Sequence, residues 1–104
     1  MAKSVFISGP VTGVESYYEA FEAAMDELSA AGFIPLTPSW QPQGLTNAQY
    51  MRICFAMIDT ADAVLFLPNW PLSAGARLER MYCTYTEKPY AESVDELKEA
   101  LIDG

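Results

Sequence analysis

The sequence contains no histidine, and this absence removes several kinds of chemistry at once. Catalytic triads that depend on an imidazole base are excluded, and a zinc site would lack the commonest metal-binding side chain. Cysteine is scarce as well: Cys54 and Cys83 each lie within a helical pattern, so we expect two buried free thiols and no disulfide. Any acid or base chemistry must therefore depend on carboxylates, tyrosines or a thiol.

Positive charge is also scarce: the sequence has six lysines and arginines against fourteen aspartates and glutamates, which gives a formal net charge of −8. The basic residues are scattered, so the sequence offers no broad surface for a nucleic acid polymer or an anionic membrane. A nucleotide would need a local pocket. No apolar run approaches the roughly 18 residues of a membrane span, and the start MAKSVFISGP has no small-residue cleavage site. We therefore expect a soluble, cytoplasmic protein.

The alternation of short apolar runs with amphipathic patterns predicts an α/β fold. At 104 residues the chain has room for one core, so a single domain, 1–104, is expected. The order β-α-β-α-β-α-(β)-α predicts a small flavodoxin-like or Rossmann-like three-layer domain, with a parallel sheet of about four or five strands. The predicted strands are Ser4–Ser8, Phe33–Thr37, Ala63–Leu67 and Tyr90–Ala91. The predicted helices start from Ser16, Thr46, Ser73 and Ser93. The expected core side of the third helix comprises Leu78, Met81, Tyr82 and Tyr85.

Prolines limit several of these elements. Pro35 has no amide hydrogen and is tolerated only at a sheet edge or a strand start, so Phe33–Thr37 is predicted at an edge. The loop Pro38–Leu45 carries Trp40, and two interpretations stay open: a flap over a binding site, or a surface loop pinned by its indole. The segment Pro68–Pro71 cannot continue a strand or open a helix, so the chain is expected to turn there.

The stretch from Ala63 to Glu79 contains the main site signals. Ala63–Leu67 is predicted to be a buried central strand, and open α/β sheets bind ligands at the carboxyl ends of such strands. Ser73 is a predicted N-cap, and the first backbone amides of its helix suit an anion in the same crevice. The loop SGPVTG after the first strand lacks both a dinucleotide fingerprint and the lysine of a phosphate loop.

Gly75 and Glu79 are four residues apart and share one face of the predicted helix. One interpretation is that the Glu79 carboxylate occupies the space left by Gly75 and faces the crevice. The other is that Gly75 allows close helix packing while Glu79 is solvated or paired with Arg77 or Arg80. Composition does not decide between them.

Three motifs and their spacing resemble the nucleoside 2-deoxyribosyltransferase-like superfamily, in particular its short phage and bacterial branch of the DUF4406 type. The motifs are VFISGPVTG, NAQYMRICFAMIDTADAVLFLPNW and SAGARLE. The resemblance extends over nearly the whole chain. It implies that Glu79 attacks a sugar C1′ as the nucleophile, and that Ser73 contacts a 5′-phosphate.

The resemblance also assigns residues to the binding of the ligand. Ser8, Gly9 and Pro10 match the first-strand loop that lines sugar and phosphate. Asn69 and Trp70 match the loop after the third strand, although more loosely, and Gly75 is counted with the substrate-binding residues. No cofactor and no metal are implied. Relatives are typically oligomers, so a homo-oligomer with helix-on-helix contact is expected.

One position departs from the family pattern. The family commonly places an aspartate eight residues before the position of Asp62, where it handles the departing base, and this chain has Cys54 there. A cysteine at this position is most simply a small buried hydrophobe, and it can also be a weak donor. We therefore expect a protein that binds a deoxynucleotide or related N-ribosyl ligand and cleaves or transfers its N-glycosidic bond. The alternative is a non-catalytic nucleotide-binding or sequestering protein.

Overall fold

The computed structural model describes residues 2–10, 17–38 and 44–102, with only the backbone of Tyr17 and Ile102. The strands are β1 Ser4–Ser8, β2 Ile34–Leu36, β3 Ala63–Phe66 and β4 Tyr90–Ala91. The helices are α1 Tyr17–Ala30, α2 Asn47–Thr60, α3 Ala74–Thr86 and α4 Val94–Ile102. This order confirms the α/β prediction. The predicted capping residue Ser16 and Trp40 of the predicted loop lie outside the described residues.

The four strands form one parallel sheet in the order β2-β1-β3-β4. The central pair, β1 and β3, is in register from Val5 opposite Ala63 to Ser8 opposite Phe66. Pro35 lies in β2 at the sheet edge, as its missing amide hydrogen predicts. The sheet therefore follows the flavodoxin-like order, with β1 and β3 at the centre.

The central strand β3 is buried along its whole length, as its unbroken apolar sequence predicts. Its start is attached to β1 by Asp62, whose Oδ2 accepts a hydrogen bond from the Ser4 amide at 2.8 Å. Its end is attached by the Leu67 amide, which donates to the Ser8 carbonyl at 2.9 Å. The carboxyl ends of β1 and β3 are thereby held side by side.

Alternating side chains of the strands divide the core into two layers. On one face, Val5 and Ile7 of β1 pack with residues of α1 and α4. On the other face, Phe6 packs with Cys54 and Ile58 of α2 and with α3. Helices thus cover both faces of the sheet, as predicted, and Ser8 lies on the α2 and α3 face with Phe6 because the two are two residues apart.

Three helices begin at the residues that the sequence predicts. Thr46 and Gln49 form a full capping box at the start of α2, with Oγ1 accepting from the Gln49 amide at 3.1 Å. Ser73 caps α3 and Ser93 caps α4. Among the helices of the described ranges, none is both long enough and apolar enough to cross a membrane.

The segment after β3 turns more tightly than expected. The prediction that Pro68–Pro71 could not open a helix is wrong in one detail, since Trp70–Leu72 forms a single 3₁₀ turn. Pro71 is compatible with it because the first amides of a helix need no acceptor within it. The Ser73 amide closes the turn by donating to the Trp70 carbonyl at 3.0 Å, and α3 starts directly afterwards.

The predicted core side of α3 is wrong. Leu78 is 50% exposed, Met81 68% and Tyr85 90%. Only Tyr82 is half-buried, and its ring stacks on Phe55 of α2 with the centroids 4.5 Å apart. The apolar stripe of this helix therefore faces outward.

The buried side of α3 consists of Ala76, Glu79 and Cys83. These residues recur at three- and four-residue spacing, just as the apolar stripe does, so periodicity alone cannot decide which stripe faces the core. Two small residues on the buried side let the helix pack close to the sheet. The same packing turns the Glu79 carboxylate inward.

Candidate functional site

The candidate site lies at the carboxyl ends of β1 and β3, where the chain path changes direction. From β1 the chain proceeds to β2 on one side, whereas from β3 it proceeds to β4 on the other. Such a switch point is where α/β sheets leave a crevice for ligands. Gly9 and Pro10 follow β1 there and are buried, and the segment from Pro68 follows β3.

Gly9 allows the two strand ends to meet without a gap. A Cβ atom at this position would lie 2.8 Å from Cδ1 of Leu67, closer than side chains can approach. A larger residue would push Leu67 aside. The glycine therefore keeps the end of β1, including Ser8, tightly against the end of β3.

Glu79 is the centre of the site. Its side chain is 5% exposed, although a buried carboxylate is costly unless it is hydrogen-bonded. Ser8 supplies one such bond, since its hydroxyl donates to Oε1 of Glu79 at 2.5 Å. This distance is typical of a hydroxyl bonded to an ionised carboxylate. The serine itself is fully buried.

The Cys54 thiol of α2 lies close enough to Glu79 to interact with its carboxyl group as a donor. Burial of the thiol, the nearby negative charge of Glu79 and this interaction together raise the pKa of Cys54 to about 12. The thiol therefore keeps its proton at neutral pH and acts as a donor. Cys83, also buried, lies on the Glu79 side of α3, and burial followed by the charge of Glu79 raises its pKa to about 11.

The environment of Glu79 holds its proton at unusually high pH. Burial raises the pKa of Glu79 from the ordinary value of 4.5 to about 7, and the hydrogen bonds from Ser8 and Cys54 oppose this rise. Protonated and ionised forms are therefore both populated at neutral pH. A carboxyl group of this kind can act as a nucleophile or exchange a proton under physiological conditions.

The two interpretations of Gly75 and Glu79 can now be compared with the contacts. Glu79 is neither solvated nor paired with an arginine: Arg77 donates to the Pro71 carbonyl at 2.7 Å, and Arg80 lies 3.4 Å from a carboxylate oxygen of Glu92. Gly75 does lie at a helix contact. A Cβ there would be 3.4 Å from Sδ of Met51, so Gly75 lies where α3 meets α2.

Ser73 has the geometry of a helix cap, in which its hydroxyl oxygen accepts a hydrogen bond and its hydroxyl hydrogen is not used by the cap. Its Oγ accepts from the Ala76 amide at 3.1 Å, and a hydroxyl can also donate one hydrogen bond. The first amides of α3 have no acceptor within the helix and carry partial positive charge. An anion at this end of α3 would therefore meet several donors.

Trp70 and Asn69 lie in the turn after β3. The Trp70 indole donates to Oε1 of Glu92 at 3.3 Å, and its ring lies 4.4 Å from the Arg80 guanidinium. Tyr90 flanks the same guanidinium at 4.6 Å. Asn69 is half-buried, and its carbonyl accepts from the Leu72 amide. The structure thus brings Ser8, Cys54 and Glu79 together, and Trp70 packs against Arg80 at the β4 end of the same core layer.

The link between Ser8 and Glu79 is the feature that the sequence analysis missed. The two residues are 71 positions apart, and the resemblance assigned Ser8 to the ligand. Strand alternation holds a partial signal, because it places Ser8 on the face that α2 and α3 cover. Across the described part of the chain, no group of three or more His, Cys, Asp or Glu side chains is arranged to hold a metal ion.

Comparison with known proteins gives one family. The model of the family described as Domain of unknown function (DUF4406) matches residues 3–91, which include β1 to β4 and every residue of the candidate site. No curated protein matches the chain. Because the match extends over most of the sequence, the chain belongs to the DUF4406 family.

Proposed function

We propose that the protein binds a deoxynucleotide or related N-ribosyl ligand and cleaves or transfers its N-glycosidic bond, with Glu79 as the nucleophile. The observation that carries the proposal is the buried, hydrogen-bonded Glu79 carboxyl at the switch point of the sheet. The resemblance to the nucleoside 2-deoxyribosyltransferase-like superfamily supports the same role.

The proposed reaction has two displacements at C1′. In the first, a Glu79 oxygen forms a bond to C1′ while the C1′–N bond breaks, and the base leaves with the electron pair and takes a proton from solvent water. In the second, water or another base attacks C1′ and loses a proton to solvent while the bond between C1′ and the Glu79 oxygen breaks, which restores the carboxylate. Since only ionised Glu79 attacks, base release should rise as the pH passes through about 7.

The proposed ligand carries a 5′-phosphate, bound at the start of α3. Ser73 offers a hydroxyl donor and the helix start offers backbone amides, which together suit a phosphate. A net charge of −8 opposes the approach of any anion, so these local donors must supply the affinity.

A non-catalytic nucleotide-binding or sequestering role is the second candidate, and Cys54 is the observation that favours it. A leaving base gains from a general acid, which contributes about 10²- to 10⁴-fold in enzymes. The Cys54 thiol has a pKa of about 12 and gives its hydrogen bond to Glu79, so it is a poor acid for this step. A protein of this kind would bind nucleotides and leave the glycosidic bond intact.

We further propose that the protein assembles with a second copy of itself through α3. Ala74, Leu78, Met81 and Tyr85 follow each other at spacings of four, three and four residues and are all exposed, which is the pattern of a helix-pairing seam. Every residue of α3 is described, and its only acid, Glu79, is buried. Two strongly acidic molecules can therefore meet along α3 without bringing carboxylates together.

The proposed activity is tested by incubating the protein with deoxynucleoside monophosphates and quantifying the released base by chromatography. Glu79→Gln should abolish release, because the amide is nearly isosteric and cannot form the glycosyl ester. Glu99→Gln, an exposed acid on α4, is the matched control and should behave as the native protein does.

Three outcomes separate the candidates. Release by the native protein that disappears only in Glu79→Gln supports the enzyme. Equal release by native protein and Glu79→Gln would refute Glu79 as the nucleophile. Tight binding of deoxynucleotides by calorimetry, without any release of base, would favour the sequestering role.

A further inference from the structure

We propose that Ser8 and Cys54 are positioning residues that hold the Glu79 carboxyl group between β1 and α2, so that Ser8 serves the acid and not the ligand. This inference concerns the same site and rests on the proposed function for its catalytic meaning. Its structural content is a carboxyl group bonded by the Ser8 hydroxyl, with the Cys54 thiol beside it, and this can be tested without any substrate.

The Ser8 hydroxyl is already bonded to Glu79. Ser8 is fully buried, and its hydroxyl hydrogen is directed to Oε1 of Glu79 over 2.5 Å. A hydroxyl has one hydrogen to donate, so the Ser8 donor is already used. A ligand would have to displace the carboxylate to receive it.

The contacts around Ser8 restrict the movement of its backbone. The Ser8 carbonyl accepts from the Leu67 amide at 2.9 Å, and Gly9 packs directly on the Leu67 side chain. The hydroxyl is therefore attached to the central strand pair of the sheet, β1 and β3, at a point held by backbone pairing. A donor fixed in this way fixes the rotation of the carboxyl group that it binds.

Cys54 approaches Glu79 from another element. It is 7% exposed, belongs to α2, and packs in the same core layer as Phe6 and Cys83. Donors from β1 and α2 thus meet a carboxyl group from α3. Among the residues that the structure describes, the titratable groups that act on Glu79 are the Cys54 thiol from α2 and the Cys83 thiol from its own helix, and both keep their protons at neutral pH.

The two hydrogen bonds have a defined chemical effect. Each stabilises the ionised form of Glu79 against the cost of burial, so the loss of either should favour the protonated form. At neutral pH the fraction of Glu79 able to attack C1′ would then fall. Orientation and ionisation are therefore supplied by residues that need not touch the substrate.

The experiment is a titration of the Glu79 carboxyl group by carbon-13 NMR of the substrate-free protein, with the signal assigned by its absence in Glu79→Gln. Ser8→Ala should raise the pKa of Glu79 by about 1 or more, the value of a hydrogen bond to a charged group. Cys54→Ala should raise it by less, because a thiol is a weaker donor. Ser8→Cys keeps a weak donor and should fall between native and Ser8→Ala.

Two controls match these variants. Ser8→Thr retains the hydroxyl and should leave the titration close to native. Cys83→Ala removes a buried neutral thiol on the same helix that is not a hydrogen-bond donor to Glu79 in the structure, and should also change little. If Ser8→Ala does not fold, Ser8→Cys and Ser8→Thr give the same comparison.

The results decide the inference separately from the activity. An unchanged titration in Ser8→Ala or in Ser8→Cys would overturn it. Raised pKa values in a protein that releases no base would uphold the positioning role while the glycosidase proposal fails. Base release with an acid limb that does not move in Ser8→Ala would overturn the positioning role while the glycosidase proposal stands.

Discussion

The raised pKa of Glu79 makes the stability of the protein depend on pH. The folded protein holds that proton to a pKa of about 7, whereas the unfolded chain releases it near 4.5. Between these values the folded state binds more protons, so the free energy of unfolding falls as the pH rises. Above about pH 7 the free energy of unfolding is lowered by the full cost of burying the ionised Glu79 carboxylate.

We therefore predict that Glu79→Gln is less sensitive to this pH change than the native protein. A pKa rise from 4.5 to about 7 corresponds to about 3 kcal/mol, and the variant should gain up to this amount relative to native on going from pH 4 to pH 8. Urea unfolding of both proteins at several pH values measures the difference. If the free energy of unfolding changed with pH in the same way for both proteins, a raised pKa at Glu79 would be contradicted.

Helix α3 has one exposed apolar stripe and one buried stripe that contains an acid. The contrast between this helix and the other elements shows which features the sequence can predict. Strands β1 and β3 are predictable because each is an apolar run closed by glycine or proline. The helix starts at Thr46, Ser73 and Ser93 are predictable because capping is local chemistry. The orientation of α3 is not, because its apolar residues face outward and its core side carries an acid and small residues.

The local parts of the candidate site could be predicted from the sequence, whereas the contacts between distant residues could not. Glu79 and Ser73 belong to one local segment, SAGARLE, whose cap and spacing indicate a helix start beside the sheet. The contact between Ser8 and Glu79 depends on how β1, α2 and α3 pack, and the residues are 71 positions apart. Local patterns carry no such distance information, so the donor role of Ser8 had to come from the structure.

The caps of α3 and α4 provide a matched pair for testing the phosphate site. In each, a serine Oγ accepts from a backbone amide three residues later at 3.1 Å. Ser73→Ala and Ser93→Ala should therefore each lower the free energy of unfolding by about 1 kcal/mol. Only Ser73→Ala should also weaken binding of a 5′-phosphate, by about 1 to 3 kcal/mol.

Chemical denaturation and calorimetric titration with a deoxynucleoside monophosphate measure the two effects. The role of Ser73 would be refuted if both variants bound the nucleotide as native does. It would also be refuted if native protein bound a nucleoside and its 5′-phosphate equally well.

The charge of the whole molecule is distributed unevenly. Exposed acids line α1 and α4, on one face of the sheet. On the other face, α3 exposes Arg77 beside the seam of Ala74, Leu78, Met81 and Tyr85. Repulsion between acidic surfaces therefore disfavours an approach of two copies through α1 and α4.

We predict that the native protein sediments as a dimer or larger assembly, well above the 11.5 kDa of one chain. Leu78→Asp should shift it to the monomer, because a carboxylate in an apolar seam must be desolvated. Ile34→Asp is the matched control, since Ile34 of β2 is also 50% exposed but lies away from α3. Micromolar native protein that sediments only as one chain would contradict the proposed assembly.

Arg80 follows Glu79 directly in the chain, yet its guanidinium is held between the rings of Trp70 and Tyr90 and beside Glu92. A free cation next to Glu79 would draw the proton from the carboxyl group across the physiological range. The rings and Glu92 therefore give the guanidinium partners of its own, whereas the Glu79 carboxyl group is bonded by Ser8 of β1. Two adjacent residues of one helix thus contact different elements: Glu79 connects α3 to β1 through Ser8, and Arg80 connects it to β4 and to the turn after β3.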